Sequence, residues 1–248
     1  MPAPEEEVLP NRQRAESTRK NDLSLSNKIG SWLKRHYLSL INLALAIYLF
    51  LPLFAPVLMK IGENRSADVI YRLYKPLCHQ LAYRSFFLFG EQIAYPRELA
   101  GVDGLMTYEA ATGQDGDDMA AASAFRGNEH VGFKTALCQR DMAIYASLLL
   151  FGLIFALTGR KLKPLPWFAW IVLALGPMGL DGSSQLISQL EIPALSWFGM
   201  RESTPFLRVL TGAMFGWFTA WFGLPSIEEI INENTPIKQT TSSPPKAN

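Results

Sequence analysis

Apolar residues in this chain gather into long blocks. They do not recur at the 3.6-residue spacing of a half-buried helix or the two-residue spacing of a half-buried strand. Four blocks approach the roughly 20 apolar residues needed to cross a bilayer. The first, Tyr37 to Met59, is uncharged, and Pro52 and Pro56 are expected to bend its second half. The second, Met142 to Thr158, is short but uninterrupted. The third, Leu165 to Ile187, opens on Pro-Trp-Phe-Ala-Trp, as at an interfacial aromatic belt, and carries Gly176, Pro177, Gly179 and one acid, Asp181. The fourth, Phe206 to Leu224, has Arg208 near its start. A weaker block, Ala67 to Phe89, holds Arg72, Lys75, Pro76 and Arg84 and reads as helix lying at the interface or folded into the bundle. The pattern predicts an all-α integral membrane bundle of four transmembrane helices over residues 31–230. Its spans are about 37–59, 142–158, 165–187 and 206–224, with an outer interfacial helical segment. The tails, 1–30 and 231–248, are too poor in apolar residues to offset chain entropy and are expected to be disordered.

Composition agrees with the blocks: 49% of residues are hydrophobic and 18% charged, too few charges to wrap a soluble globule. With 23 basic and 22 acidic residues the net charge is +1, so the totals carry no nucleic-acid signal, and the partner implied by the apolar blocks is the lipid bilayer. The placement of charge sets the orientation. Arg160, Lys161 and Lys163 lie in the short loop before the third span, and Lys28, Lys34 and Arg35 just precede the first. Both segments read as cytoplasmic, giving a multi-pass protein of the cell membrane with both termini inside and residues 60–140 outside. The first block begins late, is too long for a signal-peptide core and lacks a small-x-small site after it, so it reads as a retained anchor. In the outer connection, Gly-Gln-Asp-Gly-Asp-Asp at 113–118 does not have the ligand spacing of a hand-type calcium loop and reads as solvated.

Span counting brings the rare polar residues to one face, the outer one. They include Cys78, His79, Cys138, Arg140, Asp141, Asp181, Arg201 and Arg208. Ionisable groups at membrane depth are costly, so such a set is a candidate site. Asp181, just beyond Gly176-Pro177 where the helix should loosen, is the candidate catalytic base or cation ligand. Arg140, Arg201 and Arg208 are candidates for binding an anion such as a lipid phosphate. Cys78 and Cys138 have three open states: a disulfide closing a loop of about 60 residues, a metal site with His79 and Asp141, or separate thiols. Zinc or another divalent ion suits the S, N and O donors, and Asp141 lies one turn beyond Cys138. Haem is disfavoured, because no Cys-x-x-Cys-His occurs and no two histidines share the spans. Gly212, Gly216 and Ala220 recur every four residues, a smooth stripe suited to close helix packing or to pairing with a like or unlike chain.

Cys-His-Gln at 78–80, Arg-Ser-Phe-Phe at 84–87, Cys-Gln-Arg-Asp at 138–141, Asp-Gly-x-x-Gln at 181–185 and Arg-Glu-Ser-Thr at 201–204 together resemble a family of small prokaryotic integral membrane proteins of unknown function. The resemblance covers about Pro76 to Gly223 and implies a membrane fold with no assigned activity. Asp141 stands where a second cysteine is common in that family, and residues 91–134 look like an insertion. Two function classes stay open. One is a membrane enzyme or redox component with an outer-face site. The other is a noncatalytic subunit or assembly factor in which the same residues form a structural ion-pair network.

Overall fold

The computed structural model describes residues 8–190 and 199–233, with side chains from residue 28 onward. The chain divides into two compact units, residues 1–41 and 42–248. The first unit is helical from Val8, within a helix α1 that runs Val8–Lys60. The N-terminal tail therefore departs from the expectation of disorder. Arg, Lys, Glu and Leu are frequent there and lose little rotamer freedom in a helix, and extending a helix needs no new nucleus. Residues 1–7 and 234–248 of the two tails lie outside the described residues.

The second unit continues with α2 (Asn64–Tyr74), β1 (Ser85–Leu88), α3 (Tyr108–Thr112), α4 (Met119–Ala124), β2 (Gly127–Asn128), β3 (Gly132–Cys138), α5 (Gln139–Leu157), α6 (Trp167–Trp170), α7 (Gly176–Gln189) and α8 (Pro205–Glu233). Two described helices are long and apolar enough to cross a membrane, Lys28–Lys60 and α5. α8 is 29 residues long, but Arg208 and its threonines, glycines and tryptophans dilute its apolar content. The third apolar block is not one regular helix. α6 passes through a single π-helical turn, Ile171–Leu175, before α7. Pro177 has no N–H to offer the preceding turn, and the Gly176 N–H reaches back five residues to the Ile171 carbonyl. The loosening expected beside Asp181 thus ends six residues before it, at Leu175.

The all-α expectation is corrected outside the apolar blocks, where a three-stranded antiparallel sheet forms in the order β1-β3-β2. The interfacial segment is helical only in its first half, as α2. Its Ser-Phe-Phe-Leu becomes β1, with Phe87 opposite Lys134 and Leu88 opposite Phe133. Bulky aromatics favour the pleated surface, and glycines let the backbones close up. A Cβ on Gly90 would stand 2.1 Å from the Val131 carbonyl oxygen, and Gly132 has a φ of +77°. Residues 91–134, expected as an insertion, pack onto this sheet. Tyr95, Tyr108 and Ala122 pack with Tyr83 and Phe87 in one buried cluster. The Gly113–Asp118 acids are absorbed by the same fold: Asp118 caps α4 through the Ala121 N–H and Asp117 binds Arg97.

α5 and α8 pack closely along the small-residue stripe. Gly212, Gly216 and Ala220 are buried, and a Cβ on Gly216 would lie 2.2 Å from the Ile144 carbonyl oxygen. The stripe was expected to serve close helix packing or pairing with another chain, and α5 of the same chain packs against it.

Candidate functional site

Three short pieces of chain position the two cysteines. After α2 the chain turns, with the Cys78 N–H bonded to the Tyr74 carbonyl, and enters an irregular stretch that leaves Cys78 buried and His79 exposed. Gln80 adopts a left-handed φ of +55° and acts as a clasp. Its amide donates to the carbonyls of Tyr71 (2.8 Å) and Ala136 (3.0 Å), its carbonyl side chain accepts from Arg126, and its backbone N–H lies 3.4 Å from Cys78 Sγ. β3 then runs directly into α5, so Cys138 ends the strand and precedes the first helical turn, with Asp141 in that turn. The ligand atoms of Cys78, Cys138 and Asp141 all lie within 4.8 Å of one another. Both cysteines are free thiols. The Cys138 thiol hydrogen-bonds to Cys78, which lowers the Cys78 pKa and raises that of Cys138.

These groups border a cavity of about 270 Å³, whose wall also carries Arg84, Arg140, Arg208 and His79. His79 is not part of the three-atom cluster. The chain at 78–79 is not helical, and it leaves His79 exposed while Cys78 is buried.

The acids and arginines behind this wall form two hubs. Asp181, buried on α7, accepts from Arg140, from Arg201 at 3.1 Å, from Ser203 at 2.8 Å and from Gln185 at 3.4 Å. Its oxygens are therefore occupied by its own chain, which argues against Asp181 as a base. Glu202 is buried and accepts from Arg84 (3.1 Å), Arg97 (3.2 Å) and Arg208 (2.8 Å). Arg208 is held by Glu202 and by the Ser203 carbonyl at 3.0 Å. Arg201 does not reach the cysteine cavity. It lines a separate, mostly apolar groove between α7 and α8 with Asp181, Leu180 and Leu207.

Sequence reasoning missed Arg97, because it lay in the presumed insertion, and undervalued Glu202, which stood in the polar set without a role. It also missed Lys134. This lysine is fully buried and donates to the carbonyls of Gln80 (2.6 Å), Ser123 (2.8 Å) and Ala122 (3.4 Å), closing the end of α4 onto the Cys-His-Gln segment. A charge inside the apolar run Gly-Phe-Lys-Thr-Ala-Leu-Cys was the available signal.

Burial pushes the Lys134 ammonium down to about 7. An unfolded lysine titrates near 10.4. Between about pH 7 and pH 10 the unfolded chain therefore holds one proton more than the folded chain, and folded stability rises with pH by about 1.4 kcal/mol per unit from this residue. Unfolding of wild type and Lys134→Met, measured in detergent at about pH 7 and pH 9, should show the wild type gaining roughly 2–3 kcal/mol more than the variant over that interval. Equal gains would mean that Lys134 is not the titrating group.

Residues 126–222 match the family described as Predicted membrane protein (DUF2085). The matched part runs from β2 into α8. It contains Cys138, Asp141, Asp181, Glu202 and Arg208, while Cys78 and His79 lie before it. An uncharacterized protein of Methanocaldococcus jannaschii, MJ1492, is 27% identical over 208 residues, spanning 80% of this chain and 97% of that protein. No solved structure matches.

Proposed function

We propose that the protein spans the membrane four times, with both termini and residues 159–164 in the cytoplasm, and that its outer layer presents an open divalent-metal site. The ligands are Cys78, Cys138 and Asp141, and the fourth position faces the cavity. The observation that carries this reading is the convergence of two sulfurs and a carboxylate within 4.8 Å at the edge of that cavity. Three protein ligands and one open position are the pattern of zinc sites that act on a bound molecule, and thiolates favour zinc over harder ions. Two thiolates and a carboxylate around a dication leave one net negative charge, which the neighbouring arginines offset. The exposed stripe Val69, Leu73 and Leu77, four residues apart on and just after α2, with Arg72 and Lys75 alongside, supports an interfacial placement of that helix. The second reading, a noncatalytic subunit, draws on the mutual satisfaction of the Asp181 and Glu202 hubs. In it the cavity holds only water.

The two readings differ in metal content. The full-length protein, stripped with chelator and dialysed against zinc, is expected to retain one zinc per chain. Cobalt in its place should give a thiolate-to-cobalt charge-transfer band, and Cys138→Ser and Asp141→Asn should each lower affinity by roughly tenfold or more. Zinc that fails to bind, or binds equally to a Cys78→Ser/Cys138→Ser variant, overturns the metal site. For orientation, a single cysteine placed at Lys161 should resist an impermeant maleimide in intact cells and react after lysis. Labelling in intact cells would reverse the topology.

A further inference from the structure

Three guanidiniums on the wall of the cysteine cavity come from three separate elements: Arg84 just before β1, Arg140 in the first turn of α5, and Arg208 in the first turns of α8. Each is tied by part of its fork to an acid that is not on the wall. Arg84 gives only its Nε to Glu202, at 3.1 Å. Arg208 gives Nη2 to Glu202 and Nε to the Ser203 carbonyl. Arg140 gives Nη2 to Asp181, while its Nε is buried without a hydrogen-bond partner among the described residues. A guanidinium carries five N–H donors, so each of the three keeps donors unspent. The acids fix the orientation of the forks and leave the cavity itself with three cations against one carboxylate, Asp141.

We infer that this cavity binds a tetrahedral oxyanion of the phosphate class, held by Arg84, Arg140 and Arg208. A carboxylate presents its acceptors in a single plane. Three forks converging from different elements instead suit an anion that offers acceptors in several directions, and arginine is the side chain suited to such contacts. A buried N–H with no acceptor is costly, and an oxyanion oxygen beside Arg140 would remove that cost. The inference rests on reading the cavity as a ligand site but uses side chains other than the three metal ligands. The oxyanion can belong to free phosphate or to the phosphate of a lipid headgroup, and Leu77 and Leu81 on the same wall would accommodate the latter.

The test uses chelator-treated full-length protein in nanodiscs, so that it does not depend on zinc. In phosphatidylcholine discs, inorganic phosphate is added in a calorimetric titration. Separately, discs containing phosphatidic acid are compared with discs lacking it by the protein's thermal shift. Saturable phosphate binding identifies a free oxyanion ligand. Stabilisation by phosphatidic acid without phosphate binding identifies a headgroup. Both support the inference, provided Arg84→Gln weakens the effect by roughly tenfold or more, as expected for a hydrogen bond to a charged group. Arg84 is chosen because Glu202 keeps Arg97 and Arg208 when it is lost, so the variant should fold. No response to either probe, or an unchanged response in a folded Arg84→Gln protein, overturns the inference. Zinc binding without oxyanion binding rejects this inference alone, and oxyanion binding without zinc rejects the metal site alone.

Discussion

Glu202→Gln is expected to lower the stability of the folded protein by about 3–5 kcal/mol, the range for removing one partner of a buried ion pair. The Glu202 side chain is 2% exposed and is the shared counter-charge of Arg84, Arg97 and Arg208. Glutamine has nearly the same shape but no charge, and its amide end offers donors where the guanidiniums already donate. Arg208 would suffer most, because its own side chain is only 6% exposed and its one ion pair among the described residues is with Glu202. Arg97 retains Asp117 and Glu109, and Arg84 is exposed enough to hydrate. Asp181→Asn should cost less, since its partners Arg140 and Arg201 are 22% and 31% exposed and water can replace part of what is lost. Thermal unfolding of the purified variants in one detergent checks both the size and the order. A Glu202→Gln protein within about 1 kcal/mol of wild type would mean that the three arginines find other partners.

The difference between Glu202 and Asp181 shows what the sequence could express. Asp181 was conspicuous because it interrupts an apolar block, and a charge at such a place is costly enough to read from one line of residues. Glu202 lies in a connecting segment, where an acid is ordinary, and its importance comes only from three arginines that the fold collects around it. The cysteine site was legible for the opposite reason. Cys138 and Asp141 fall just before the second apolar block and Cys78 lies within the weaker one, so counting spans was enough to bring them to one face, and the structure places them together. The sheet was not legible because residues 67–89 carry a helix-like spacing in their first half, and their strand half pairs with residues some 50 positions away. Arg97 and Lys134 share that cause. Glu202 for Arg97 and Gln80 for Lys134 lie far along the chain, and only the fold turns the loop charge into a partner of Glu202 and the strand charge into a fastening of the Cys-His-Gln segment.

Gly216→Leu is expected to disrupt the α5–α8 pair, lowering stability by about 3 kcal/mol, at the upper end of the range for overpacking. The reason is geometric. The first atom of any side chain at 216 would meet the Ile144 carbonyl oxygen at 2.2 Å and Ser147 Oγ at 2.2 Å, and the former is backbone that no rotamer change can move. The helices must separate along their length, and Gly212, whose added Cβ would meet the Arg140 carbonyl oxygen at 2.6 Å, would lose its close contact as well. In a bilayer this matters more than the apolar area of leucine, because lipid tails solvate a leucine as well as a helix does and association rests on close packing. Phe218→Leu, two residues on, is the control. Phe218 is half-buried and stacks on Trp221, so its replacement removes a ring contact without moving backbone. Unfolding in the same detergent should therefore rank Gly216→Leu well below Phe218→Leu. The separation should also reach the site, because Arg140 begins α5 and Arg208 begins α8, and both stand on the cysteine cavity. A Gly216→Leu protein as stable as Phe218→Leu would show that the two helices do not approach along this stripe.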